Sequence, residues 1–403
     1  MMRARLLPRV CSVALAASGC ATTPAQPPRA PTSELHVYAE GPCPKLAPYA
    51  LGERRVLVYG DTGYDLHAWY AGEPLAAAQA LVELRPDGAY RDPLLSAGLA
   101  RDAGGYVNAD LALGGALEAG SAWLLATTSR YARHGRGSLF ERHAAGYAHE
   151  DGAWRPTAEP VALPRGARTL PELGGDGACG AGLAFVATAW DASPDGDLLV
   201  AGRCDDEAVT NHPATLVVAH AEAGARAWRY ERVPGTEGLD GILNLDLAVV
   251  SAREAYLVAH EPFVARDRRH AFLVRWDGVA WGELDLGIHD GMMAVAHESP
   301  DTLWVAGGRA LYRHRGAGPA EVVPLPALRY AEVPPAELHV HDVRAFARGD
   351  VWVSASYRVA RSLPGVDHAI SVPASALYHS APPPRPLYCD ASLPADEALF
   401  EVE

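Results

Sequence analysis

"DTLWVAGGRALYRH", residues 301–314, is the stretch on which the reading of the fold turns. Leu303 and Val305 point to one side of an extended chain, and Trp304 and Ala306 point to the other. A glycine pair follows, and then a second alternating run through Leu311 and Tyr312. This pattern predicts a tight β-hairpin.

The hairpin is one copy of a degenerate repeat. "RRVLVYGDT" (54–62), "SAWLLATTS" (121–129), "GDLLVAGRC" (196–204), "EAYLVAHEP" (254–262) and "GDVWVSASY" (349–357) share its polar entry, apolar run and small or polar exit. Most copies are followed by a strand, a turn and an aromatic residue opening a further strand, as in "FLVRWDGVAWGEL" (272–284). Before most copies lies another short apolar strand, such as "LDLAVV" (245–250), "MMAVA" (292–296) or "VRAFA" (343–347). One unit is therefore four short strands joined by turns.

A four-stranded sheet cannot bury both faces by itself. Repeated about six times, such sheets predict an all-β fold of the β-propeller type, with Trp304 and Trp352 wedged between blades. The alternative is seven blades, if 34–55 forms one of its own. A parallel β-helix fits less well, because the tight turns imply antiparallel pairing. The units are longer than compact propeller repeats, and the excess is expected in loops at 129–139, 156–178 and 358–372. "PLAAAQALVEL" (74–84) is the best helical candidate, although its end suits a strand equally well.

The first residues read differently. Arg3, Arg5 and Arg9 precede a short apolar run, Val10 to Ala17, and Ala17-Ser18-Gly19 lead into Cys20. The run is shorter than the ~20 residues that span a bilayer. This arrangement resembles a bacterial lipoprotein signal, which implies cleavage after residue 19 and a lipid on Cys20; an ordinary secretory signal cut nearby is the other reading. Such signals usually carry Leu three residues before the cysteine, where Ala17 stands here. Ala21 in place of Asp implies, by the same resemblance, the outer membrane. Residues 20–33 are rich in Pro, Ala and Thr and read as an extended tether, leaving 34–403 as the propeller domain.

The formal charge of −14 becomes −17 once the three leader arginines are removed. That argues against nucleic acid and anionic lipid as partners. Cys43, Cys179, Cys204 and Cys389 remain after Cys11 and Cys20 are set aside, an even number in an oxidising compartment. Of three pairings, the most economical joins Cys179 to Cys204 and Cys43 to Cys389. Four unpaired core thiols are the other reading. The loose cadence D-x-x-W-V-A-G, L-Y-R, W-D-G-x-x-W resembles repeats of secreted bacterial propeller lipoproteins.

Compact catalytic motifs are absent from the sequence. "GDGACG" (175–180) spells a dinucleotide fingerprint but lacks the preceding strand and following helix. "SPDGD" (193–197) is similar to the turn box of sialidase-like propellers without its full spacing, and reads as a stabilised turn. His260-Glu261 lacks the second histidine of a zinc protease motif.

Position is more informative. Asp110, Asp246, Asp290 and Asp342 each lie at or just before a unit's first strand, which in a propeller lines the central channel. They would cluster round one mouth. His339 and His341, two apart in a strand, would face the same side as a metal pair requires, and His289 could join them. The plainer role for each Asp is to satisfy backbone N–H groups where a blade begins. No cofactor is expected beyond a cation at this mouth. The expected function is a lipid-anchored, monomeric binding or scaffold module that meets a protein or glycan partner at its rim loops. The alternative is a propeller-type glycan hydrolase or lyase with its site at the channel mouth.

Overall fold

The computed structural model describes residues 34–41, 46–51, 54–59, 80–85, 88–91, 107–116, 121–134, 137–150, 153–156, 179, 184–193, 197–205, 215–221, 229–236, 244–260, 271–289, 291–329, 337–361, 370–383 and 387–388. The strands between 46 and 156 are described by their backbone alone. The compact unit containing these segments is Ser33–Glu403.

The described strands make six sheets. After β1 (His36–Gly41), the first antiparallel sheet holds β2 (Leu46–Leu51), β3 (Arg54–Tyr59), β4 (Ala80–Arg85) and β5 (Gly88–Arg91). The second holds β6 (Val107–Ala116), β7 (Ser121–His134), β8 (Gly137–Glu150) and β9 (Ala153–Pro156). β10 (Ala184–Ala192), β11 (Leu198–Asp205), β12 (Thr215–Ala221) and β13 (Arg229–Arg232) form the third. The fourth is β14 (Asn244–Ser251), β15 (Glu254–His260), β16 (Ala271–Trp276) and β17 (Trp281–Glu283). In the fifth are β18 (Ala294–Ser299), β19 (Thr302–Gly307), β20 (Ala310–Arg315) and β21 (Glu321–Val323). β22 (His339–Ala347), β23 (Asp350–Arg361) and β24 (Ile370–His379) are completed by β1 and β25 (Leu387–Tyr388), in the order β22-β23-β24-β1-β25.

Within each sheet the strands follow chain order, and the first strands lie side by side. β14 lies against β10 and β18, β18 against β22, β22 against β2, and β2 against β6. This is the β-propeller that the repeat predicts, with the first strands innermost. β1 pairs antiparallel with β24, His36 opposite His379 and Gly41 opposite Ser375. Residues 36–41 thus complete the last sheet instead of starting a separate blade.

The alternation of Leu303 and Val305 against Trp304 and Ala306 sends them to different cores. Leu303 and Val305 pack with Val258, Leu273 and Tyr256 of the fourth sheet. Trp304 and Ala306 pack with Val340, Val343 and Val353 of the sixth. A third core joins Leu257, Trp276 and Trp281 to Leu199, Leu216 and Val218. Sheets stacked this way bury both faces, which is why their central strands read as continuous apolar runs. The wedging aromatics keep their polar atoms satisfied: Trp304 Nε1 donates to Glu298 at 2.7 Å, and Trp352 Nε1 donates to Asp350 at 2.7 Å.

The glycine pair has a steric cause at each position. Gly308 sits at φ +60°, in the two-residue turn between β19 and β20. At Gly307, a Cβ would lie 2.5 Å from the Tyr312 ring.

Several expectations are corrected. Residues 129–134 and 137–139 are not loop but strand, in β7 and β8, which run 14 residues each. The 358–372 region is likewise strand at both ends, through Arg361 and from Ile370. The end of the 74–84 stretch, which suits a strand equally well by sequence, takes that second form in strand β4 (Ala80–Arg85). Its remainder lies outside the described residues, as do the leader, the tether, and the 156–178 loop after Pro156.

Cys179 and Cys204 are bonded, with their Cα atoms 5.2 Å apart. The link pins the chain ahead of β10 to the end of β11. Cys43 and Cys389 lie outside the described residues, although β1 and β25 pair in parallel just before them, Glu40 opposite Tyr388. The "SPDGD" turn is closed as a turn should be: Asp197 N donates to Ser193 Oγ at 3.0 Å, and Ser193 Oγ to Asp197 Oδ2 at 3.1 Å.

Candidate functional site

The channel has one end where the innermost strands begin and another where they turn into their hairpins. At the second end, carboxylates clasp neighbouring sheets together. Asp191 of β10 accepts from Val249 N of β14 at 2.8 Å, and Glu298 of β18 accepts from Gly349 N at 2.9 Å. Each satisfies a backbone N–H of the next sheet, and Glu298 also holds the Trp304 indole.

At the first end a different arrangement forms. Asp246 is the third residue of β14 and Asp342 the fourth of β22, on sheets separated by the one that β18 begins. Arg344, two residues beyond Asp342, bridges them. Its Nη2 donates to Asp246 Oδ1 at 3.0 Å, and its Nε lies 3.1 Å from Asp342 Oδ1. The other oxygen of Asp246, Oδ2, accepts from Val295 N of β18 at 2.9 Å. Three innermost strands therefore meet through one guanidinium and two carboxyls.

Both carboxyls are buried, and each side chain keeps about a tenth of its surface open, 11% for Asp246 and 9% for Asp342. Burial is the largest influence on Asp246 and pushes its pKa up. Arg344 opposes that rise, the neighbouring Asp342 adds to it, and the N–H groups of Val295 and Leu247 lower it.

The remaining sequence candidates divide. Asp110 lies on β6, the fourth residue of that innermost strand. His289 is described and exposed, and Asp290 lies outside the described residues. His339 and His341 do not act as an alternating pair. The register of β22 shifts between Val340 and Asp342, leaving His339 exposed and His341 half-buried. A bulge of this kind breaks the two-residue period on which the shared face depended. Among the described residues, no group of three or more His, Cys, Asp or Glu is placed to hold a metal ion.

Of the N–H groups that Asp246 accepts from, that of Leu247 is on its own strand and that of Val295 is on the neighbouring sheet. Sequence reading missed Arg344. The available signal was its i+2 relation to Asp342, which puts both on one face of a strand. It also missed His260, at the end of β15, against which Gly291 of the β17–β18 connection packs so closely that a Cβ there would lie 2.6 Å from the imidazole Nε2.

No protein-family model matches the chain, and no curated protein matches it by sequence. Solved structures resemble it in fold. A Penicillium chrysogenum α-L-arabinanase complexed with arabinobiose is 13% identical at a TM-score of 0.46, over 85% of this chain and 98% of that one. An Aleuria aurantia lectin with α-methyl-L-fucoside is 8% identical at 0.41, over 83% and 96%. A Trypanosoma rangeli sialidase is 9% identical at 0.49, over 85% of this chain and 54% of the other.

The expectation of a non-catalytic binding or scaffold module is corrected at this point. The solved structures that this chain resembles include glycan-cleaving enzymes, and none of these likenesses supports a scaffold role. At such identities the likeness itself speaks only to fold, so an activity has to be argued from this chain's own residues.

Proposed function

We propose that the protein is a glycan hydrolase of the propeller type, working at the end of the channel where the innermost strands begin. The observation that carries this reading is the cluster in which Arg344 joins Asp246 to Asp342. Glycoside cleavage by two carboxyls needs one that holds a proton near neutral pH and one that is ionised. Burial raises the proton affinity of Asp246, which suits it to the first role. Asp342, held 3.1 Å from the same guanidinium, is the second carboxyl of the pair.

In the proposed reaction the Asp246 proton goes to the glycosidic oxygen as the bond from the anomeric carbon to that oxygen breaks. Water adds to the anomeric carbon, and the proton it releases goes to Asp342. Solvent exchange then restores both carboxyls. Arg344 positions the pair. The test is a screen for reducing-sugar release from a broad panel of glycans by the purified domain. Release from at least one glycan class is expected, and no release from any would overturn the reading.

The reading is joined by a proposal on location. The leader and Cys20 support lipid attachment and an outer-membrane position, with the tether 20–33 carrying the propeller as a monomer. Cys20→Ser should move the protein from the membrane fraction to the soluble one. Retention of that variant in the membrane would count against the anchor.

A further inference from the structure

The charges along the channel are one-sided. Among the six innermost strands β2, β6, β10, β14, β18 and β22, the only arginine or lysine is Arg344. The same strands carry Asp110, Asp191, Asp246, Glu298 and Asp342. Arg344 is already engaged by Asp246 at 3.0 Å and by Asp342 at 3.1 Å. Its charge is therefore compensated before any ligand arrives, and the whole chain adds a formal −14.

From this we infer that the substrate is an uncharged glycan, and that sugars bearing a carboxylate or sulfate are rejected. The inference rests on the hydrolase reading and adds the substrate class to it. Recognition of an anionic sugar requires a cation with free donors at the site, because burying an unpaired carboxylate is costly. Among the innermost strands such a group would meet one guanidinium, and that one is held by two carboxyls. A neutral sugar has only hydroxyls to place, and these can bond to carboxylate oxygens without an electrostatic penalty.

The experiment compares matched oligosaccharides, each neutral glycan alongside the same glycan with a C6 carboxylate. Both members of each pair are assayed at the same pH and buffer composition. The neutral member is expected to have a kcat/KM roughly 10- to 100-fold higher, as for one added charge facing a partly buried negative site. Raising the salt from ~10 mM to ~500 mM should shrink that ratio several-fold, because the repulsion is screened. Equal or faster turnover of the anionic member overturns the inference and leaves the hydrolase reading standing. A ratio that ignores salt also overturns it, since discrimination would then be steric. Turnover of neither member of any pair removes the hydrolase reading itself.

Discussion

Replacing Asp246 by Asn separates what its carboxyl does for the fold from what it does for chemistry. An asparagine Oδ1 can still accept from Val295 N, now bonded to the carboxyl at 2.9 Å. The lost partner is Arg344, at 3.0 Å, a charge-assisted bond of about 1.5–3 kcal/mol by itself. Against that loss stands the desolvation of a buried carboxylate, the largest influence on this group. Arg344 also retains Asp342. The two effects oppose each other, so D246N should change stability at pH 7 by no more than about 1–2 kcal/mol.

D246A, by contrast, leaves the Val295 N–H unpaired as well, and should cost about 3–5 kcal/mol. The pH dependence has a definite sign. Burial raises the folded-state pKa of Asp246 above its unfolded value. Its contribution to stability is therefore fully present below the unfolded pKa and is lost as pH rises through the folded one. D246N lacks this loss, so its stability relative to wild type should improve as pH rises across that window. Urea unfolding of both proteins from about pH 4 to 8 measures this. A difference independent of pH, or one that moves against the variant, would refute the account of the cluster.

Three further outcomes follow from the packing. Trp304→Ala empties the wedge between the fifth and sixth sheets and frees Glu298; unfolding should show a loss of roughly 3–5 kcal/mol, and a loss under 1 would mean that the ring is not a wedge. Gly308→Ala puts a side chain at φ +60° with only ordinary neighbours around it, so a cost of about 1 kcal/mol is expected, whereas Gly307→Ala meets the Tyr312 ring and should cost more. The order of the two distinguishes backbone strain from steric exclusion. A non-reduced digest should yield a peptide joining Cys43 to Cys389 beside the Cys179–Cys204 link, and a Cys43–Cys179 peptide would contradict that arrangement.

What could be read in advance followed from local periodicity. The alternation in 301–314, and its copies, led to four-stranded units because each strand's pattern is its own. Asp246 and Asp342 could be placed at the channel mouth because their distance from the start of a strand is a local quantity too. Arg344 could not be recognised in the same way, since its role depends on Asp246, 98 residues away on another sheet. The His339–His341 pair failed for a related reason. A bulge at Val340/Asp342 is set by pairing with β23, and nothing in "HVHDVRAF" announces it. The 129–139 stretch looked like a loop because its Arg, His and Gly residues are polar; the β7–β8 pairing carries 129–134 and 137–139 as strand. The placement of β1 in the last sheet depends on the chain's two ends meeting, which no local pattern encodes.

The proposed role of Asp246 as proton donor is tested most directly by leaving-group dependence. Hydrolysis rates of wild type and D246N are compared on a series of aryl and alkyl glycosides of one neutral sugar. Where the leaving group is a good one, the variant should keep most of its rate, because no proton is needed; with poor leaving groups it should fall by about 10²–10⁴-fold. An equal loss across the series, or none at all, would contradict Asp246 as the acid and with it the account of the site.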